Sequence, residues 1–173
     1  MNRGVNLEPL IHGGKQERKI RAGTENIPAI VGMGKAAELA IRQIDIAPEI
    51  ARLRDRLEAG IRRHIPEAIL NGHNENRLPN TLNLTLPDLR GESLVVALDQ
   101  RGISLSSGSA CKSGSPEPTH VLIAMGKSVE DAHCAVRFSL SHTTIETDID
   151  NTVSAIEEIL EEMKTTVRFL PCK

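Results

Sequence analysis

The 173-residue sequence contains no tryptophan, no tyrosine and only two phenylalanines. A surface that stacks nucleobases needs aromatic faces, so this shortage argues against single-stranded nucleic-acid binding. Cysteine is also scarce. The three residues, Cys111, Cys134 and Cys172, form no Cys-x-x-Cys pair, which argues against a disulfide framework and a zinc knuckle and fits a reducing, cytoplasmic compartment. No apolar run approaches the ~20 residues of a membrane span, and Met1 to Gly14 hold no continuous apolar stretch of the kind a signal peptide needs. Charge of one sign is lacking as well. Lys plus Arg total 21 and Asp plus Glu total 23, so the chain has no electrostatic reason to seek nucleic acid or an anionic membrane.

What remains is an ordinary globular composition, 39% hydrophobic and 25% charged, enough for one core. Residues 1–26 are rich in Gly, Asn and charged side chains and read as loop. From Ile27 the pattern turns helical, with Pro28 suited to a first turn. Ile30, Met33, Ala37 and Ile41 recur at three or four residues, and Pro48 breaks this helix or starts the next. Ile50, Leu53, Leu57 and Ile61 then make an apolar stripe. Arg52, Arg54, Arg56, Arg62 and Arg63 fall off it, as expected of a solvated face.

Leu82, Leu84 and Leu86 alternate with Asn83 and Thr85, which predicts a half-buried strand. Gly91 opens a helix, and Ile103 to Leu105 read as a short strand. Ser106 to Ser115 are a Gly/Ser-rich loop, followed by a short helix ending at Gly126. Val136, Phe138 and Leu140 alternate with Arg137 and Ser139 as another strand. Thr143 and Glu146 have the spacing of a capping box, and the last helix carries Ile145, Ile149, Val153, Ile156, Leu160 and Met163 on one face. The expected fold is α+β. Its expected parts are a loop segment over 1–26, a long helical connector over 27–67 and a small α+β domain over 68–173.

Three places could carry chemistry. Cys111 lies in a polar, flexible loop beside Lys112, and a neighbouring ammonium favours the nucleophilic thiolate. The bland reading is a surface thiol, and the local sequence weighs the two equally. Arg137 points to the face opposite its apolar strand neighbours, where it is either solvated or free to receive a carboxylate in its bidentate fork. Gly23-Thr24-Glu25-Asn26 precedes a helix and serves as an N-cap or, with free backbone N–H groups, as an anion site. Cys134 reads as a core residue and Cys172 as exposed. The six histidines show no metal-ligand spacing, so no intrinsic metal site is expected.

Taken in order, Gly13-Gly14-Lys15-Gln16-Glu17, Arg21-Ala22-Gly23-Thr24-Glu25-Asn26, Ser106-Ser107-Gly108-Ser109-Ala110-Cys111, His120-Val121-Leu122 with Met125-Gly126, and Val136-Arg137-Phe138-Ser139-Leu140 resemble the C-terminal part of the NifS/IscS-type cysteine desulfurases. These are pyridoxal-phosphate (PLP) enzymes of the class V aminotransferase family. The resemblance spans essentially the whole chain, and the Ser-Ser-Gly-Ser-Ala-Cys loop is its most specific part. It implies the small C-terminal domain of a fold-type I enzyme, preceded by a loop and helical arm of the large domain. It also implies that L-cysteine is converted to L-alanine and an enzyme persulfide for iron–sulfur cluster or thio-cofactor assembly. Cys111 would then be the persulfide nucleophile and a transient iron–sulfur ligand. Arg137 would hold the substrate carboxylate, and Thr24 would reach the PLP phosphate of a partner subunit. The expected partners are an iron–sulfur scaffold or other sulfur acceptor, together with a second copy or a separate N-terminal half.

The family's PLP lysine, ring-stacking histidine and pyridine-nitrogen aspartate match nothing in this chain. Neither Lys15 nor Lys112 fits the lysine motif, and Lys112 replaces the family's usual Thr or Ser. The isolated chain is therefore expected to be inactive alone. The alternatives are a stand-alone persulfide carrier or scaffold-binding module, and a non-catalytic truncated remnant.

Overall fold

The computed structural model describes residues 7–108 and 118–165. Its contacts divide the chain into two compact units, 1–44 and 45–173.

In the first unit, a short 3-10 turn at Gln16–Lys19 places Glu17, Arg18 and Lys19 at positive φ. Helix α1 (Ile27–Gln43) follows. Pro28 sits in its first turn, and the Asn26 side chain accepts from Ala29 N at 3.2 Å. The cap is thus Asn26, and Thr24 stands outside it. Ala22 is the one buried side chain among the described residues of this unit.

In the second unit, α2 (Ala47–His64) begins at Pro48, as the break predicts. It is followed by β1 (Ile69–Leu70), β2 (Thr81–Thr85), α3 (Gly91–Asp99), β3 (Ser106–Ser107), α4 (His120–Ala124), α5 (Val129–His133), β4 (Ala135–Ser139) and α6 (Glu146–Thr165). The strands form an antiparallel sheet in the order β1-β2-β4-β3. Leu82, Leu84, Val136 and Phe138 point from one face into a core built with Leu53, Leu57 and Ile61 of α2, Leu94 and Leu98 of α3, and Ile149, Ile156 and Ile159 of α6. Period-two alternation on the strands and period-3.6 stripes on the helices meet there, and this non-directional burial dominates the stability.

Helices α2 and α6 run parallel. Arg52 pairs with Glu146 and Arg56 with Asp150 on successive turns, and two turns further on His64 Nδ1 lies 3.6 Å from Glu157 Oε1. Between these pairs, Gly60 admits Val153. A Cβ at residue 60 would lie 2.5 Å from Val153 Cγ2.

Three local expectations need correction. Arg54 is buried at 7% exposure, not solvated, because it donates to the Leu78 carbonyl at 2.6 Å and to Asp55. The strand expected at 103–105 forms at Ser106–Ser107, where the backbone reaches its partners on β4. The Thr143–Glu146 box does not form. Asp148 Oδ2 instead accepts from Ile145 N at 3.0 Å, while Ser128 and Asp131 make a capping box that opens α5.

Candidate functional site: a guanidinium on the polar face of the sheet

The second face of the sheet is polar where the first is apolar. Antiparallel register places Asn83 of β2 directly opposite Arg137 of β4, and Ser106 of β3 opposite Arg137 on its other side. Directly opposed residues share a face with Cβ atoms about 4.5–5.5 Å apart, so these three form one row across three strands. Arg137 Nη2 lies 3.4 Å from Ser106 Oγ, to which it donates a long hydrogen bond. The Arg137 side chain is half-buried and makes no ion pair among the described residues. A guanidinium has five donors and no acceptor, so most of its fork is left for an anion.

Asn83 is held in turn. Asn71 N donates to the Asn83 carbonyl at 2.9 Å, and Asn71 Nδ2 donates to Asn83 Oδ1 at 2.8 Å and to Thr85 Oγ1 at 2.9 Å. Thr85 Oγ1 donates to the Asp131 carbonyl at 3.3 Å, which ties the row to α5. Beside it, Leu122, Ala132 and Ala135 form a small second core that seats α4 and α5. The start of α3 presses on the same strands from Gly91, where an added Cβ would stand 2.6 Å from the Ala135 carbonyl oxygen and 3.3 Å from Ser107 Cβ.

Of the residues singled out in the sequence, Arg137 faces away from the core, as its alternation requires. Thr24 is exposed in the first unit, next to Gly23 at φ +100°, and donates or accepts no hydrogen bond with the described residues. Cys111 and Lys112 lie outside the described residues, as does Cys172. Cys134 is buried, as expected. Asn71 and Asn83 carry no sequence mark of a site residue, and Ser106 is marked only as the first residue of the cysteine-loop motif. The polar-out alternation of Leu-Asn-Leu-Thr is the one signal available, but only strand pairing shows that Asn83 shares a row with Arg137.

Among the described residues no carboxylate pairs with this guanidinium fork, and a fork flanked by an amide and a hydroxyl has the chemistry to receive a carboxylate or phosphate. Comparison with known proteins defines the class. The class-V aminotransferase family matches residues 4–152, and the chain belongs to that family. Within it, the chain is 47% identical over 98% of its length to a cysteine desulfurase of Nostoc sp., covering 42% of that protein. It is 44% identical over 99% of its length to the cysteine desulfurase IscS of Methanosarcina thermophila, again covering 42%. A solved NifS-like protein from Rickettsia africae superposes with a TM-score of 0.77 at 35% identity, covering 91% of this chain and 41% of that one. The chain therefore spans less than half the length of these relatives, and its mixed helix-and-sheet architecture is theirs.

Proposed function

We propose that the chain supplies the C-terminal half of a PLP-dependent cysteine desulfurase, with 45–173 containing its small domain. Arg137 carries the reading. A half-buried fork without a carboxylate partner among the described residues stands beside the strand that leads into the cysteine loop. Arg137 binds the carboxylate of L-cysteine and orients its thiol. Two residues, Ser109 and Ala110, separate Gly108 from Cys111, so three chain steps give a tether of at most about 11 Å.

The Cys111 thiolate attacks the substrate sulfur. A sulfur–sulfur bond forms as the substrate carbon–sulfur bond breaks, and the electron pair stays with the carbon skeleton, which takes a proton and leaves as L-alanine. Cys111 keeps the transferred sulfur as a persulfide, which passes to an iron–sulfur scaffold or another acceptor protein. PLP supplies the electron sink that makes this carbon–sulfur bond breakable. This chain's own contribution to holding it is the Thr24 hydroxyl, which has no hydrogen-bond partner among the described residues and stands three residues before α1, a donor suited to a phosphate oxygen. A lysine-bearing half supplies the remaining contacts, and the assembly works in the cytoplasm.

The test is reconstitution. A family N-terminal half carrying the lysine is mixed with the chain, PLP, L-cysteine and a thiol reductant, and alanine release is measured. Release from the mixture and from neither component alone is expected. No release, with persulfide accepted on Cys111 from an active desulfurase, would turn the reading to a sulfur carrier.

A further inference from the structure

The row on the polar face is one strand wider than Asn83, Arg137 and Ser106. Continuing the β1 register past Leu70 sets Asn71 opposite Asn83, and the Asn71 N–H bonds the Asn83 carbonyl at 2.9 Å. The order across the sheet is therefore Asn71, Asn83, Arg137, Ser106. The side-chain hydrogen bonds at its Asn71 end have a direction, and a single carbonyl sets it. The Asp131 carbonyl can only accept, so the Thr85 hydroxyl gives it its one hydrogen, at 3.3 Å. Thr85 Oγ1 can then only accept from Asn71, at 2.9 Å, which turns Asn71 Nδ2 toward it. The other hydrogen of that nitrogen goes to Asn83 at 2.8 Å, and Asn83 must meet it with Oδ1. The Asn83 amide nitrogen is thereby turned away from Asn71, and it makes no hydrogen bond with the described residues. We infer that Asn83 Nδ2 donates to the substrate carboxylate beside the Arg137 fork, and that Asn71 and Thr85 are positioning residues that hold this amide donor-outward. The inference rests on the reading that Arg137 binds the carboxylate of L-cysteine.

Two observations support this. The row offers an incoming anion donors alone. A guanidinium has no acceptor. Ser106 Oγ accepts from Arg137 Nη2 at 3.4 Å, which leaves the hydroxyl hydrogen unused among the described residues. With Asn83 turned as it is, amide, guanidinium and hydroxyl all present hydrogens, and a carboxylate has two oxygens to receive them. One oxygen meets the fork. The other meets the amide across the strand pair, where opposed Cβ atoms lie about 4.5–5.5 Å apart. The lock is also kept at a cost. Asn71 Oδ1 is buried without a partner, a loss that an apolar side chain at 71 would avoid. What the amide at 71 supplies is the orientation of Asn83. Thr85, 1% exposed, fixes the far end of the lock inside the protein, where water does not compete for its hydroxyl.

Kinetics of the chain reconstituted with the lysine-bearing half and PLP separate substrate contact from packing. Asn83→Ala should raise KM for L-cysteine about tenfold and leave kcat within about twofold, since the carboxylate loses one neutral donor. Asn83→Asp discriminates most sharply. Its carboxylate still accepts from Asn71, so a purely structural Asn83 would tolerate it. As a substrate contact it should raise KM at least about a hundredfold, because the new carboxylate closes the Arg137 fork. Its urea midpoint should not fall below that of Asn83→Ala. Asn71→Ala should raise KM about threefold, and should add nothing in an Asn83→Ala background. A parent-like KM in Asn83→Asp would overturn the inference, as would an Asn71→Ala effect that persists without the Asn83 amide. Neither result touches the fork, which Arg137→Lys tests separately. Should the two halves give no turnover, the chain alone answers. Its ¹⁵N side-chain amide and guanidinium signals are followed in propionate and in chloride at equal ionic strength. Movement of both Asn83 Nδ2 and Arg137 Nε in propionate only would uphold the paired carboxylate contact. Movement of Arg137 without Asn83 would overturn the inference alone, and movement of neither would overturn the carboxylate reading of Arg137 with it.

Discussion

Arg137 and Ser106 are Cα partners across β4 and β3, and the guanidinium Nη2 of one lies 3.4 Å from the hydroxyl oxygen of the other. Ser106 is the first residue of the Ser-Ser-Gly-Ser-Ala-Cys segment, so the anchor of the cysteine loop and the anion fork share one hydrogen bond. Under the proposed function, substrate binding and sulfur delivery would start from neighbouring strands of one small sheet.

Replacing Arg137 by Lys keeps the charge and removes the fork. In the reconstituted enzyme this should raise KM for L-cysteine about tenfold to a hundredfold, the loss of a charge-assisted bidentate contact worth about 1.5–3 kcal/mol. Persulfide accepted on Cys111 from another desulfurase should not change. An unaltered KM would remove Arg137 from the substrate site.

Ser106→Ala should have a smaller effect on the same KM, within about fivefold, since it removes one long hydrogen bond and leaves the fork intact. Steady-state kinetics separate the two, and a Ser106→Ala effect as large as that of Arg137→Lys would mean that the fork is not the principal contact.

Two glycines should respond unequally to alanine. Gly91→Ala drives a Cβ into the Ala135 carbonyl oxygen, which belongs to the β4 backbone and cannot rotate away, so unfolding free energy should fall by about 2–3 kcal/mol. Gly60→Ala meets the Val153 side chain instead, and its gain in helix propensity of about 1 kcal/mol offsets part of the overpacking. Urea unfolding should place Gly91→Ala clearly below Gly60→Ala.

Arg54→Met should cost about 1–3 kcal/mol. It leaves the Leu78 carbonyl, which Arg54 now satisfies at 2.6 Å, without its donor. Equal stability of Arg54→Met and the parent by urea titration would show that water replaces the guanidinium there.

The hydrogen bond from Arg52 holds the Glu49 carboxyl below its usual range. Its folded pKa is depressed, so its contribution is present at neutral pH and is lost as pH falls through and below the ordinary carboxylate range. The urea midpoint should drop with acidification, and Glu49→Gln should flatten part of that slope. Because the pair is exposed, added salt should shrink the difference.

Much of the fold is legible in the chain. The alternation of Leu82, Leu84, Val136 and Phe138 marks both central strands and the side on which Arg137 stands. The stripes of α2 and α6 mark their buried faces, and Pro28 and Pro48 mark two helix starts. What is not legible depends on partners distant in sequence. Arg54 reads as solvated because its acceptor, the Leu78 carbonyl, belongs to a loop 24 residues away. Asn83 reads as an ordinary exposed strand residue until register sets it beside Arg137. The Thr143 cap fails because a nearby carboxylate, Asp148, satisfies the helix start at Ile145 N, two residues later than the motif requires. Short strands such as β1 carry too few residues to show a period at all.

Whether this chain supplies the C-terminal half of a cysteine desulfurase is tested most directly by one measurement. L-alanine formed from L-cysteine in the presence of PLP should be counted for the chain, for a lysine-bearing family half, and for their equimolar mixture. Turnover only in the mixture, abolished by Cys111→Ala, is the predicted result. Turnover by the chain alone, or none in the mixture while the two halves bind each other, would contradict it.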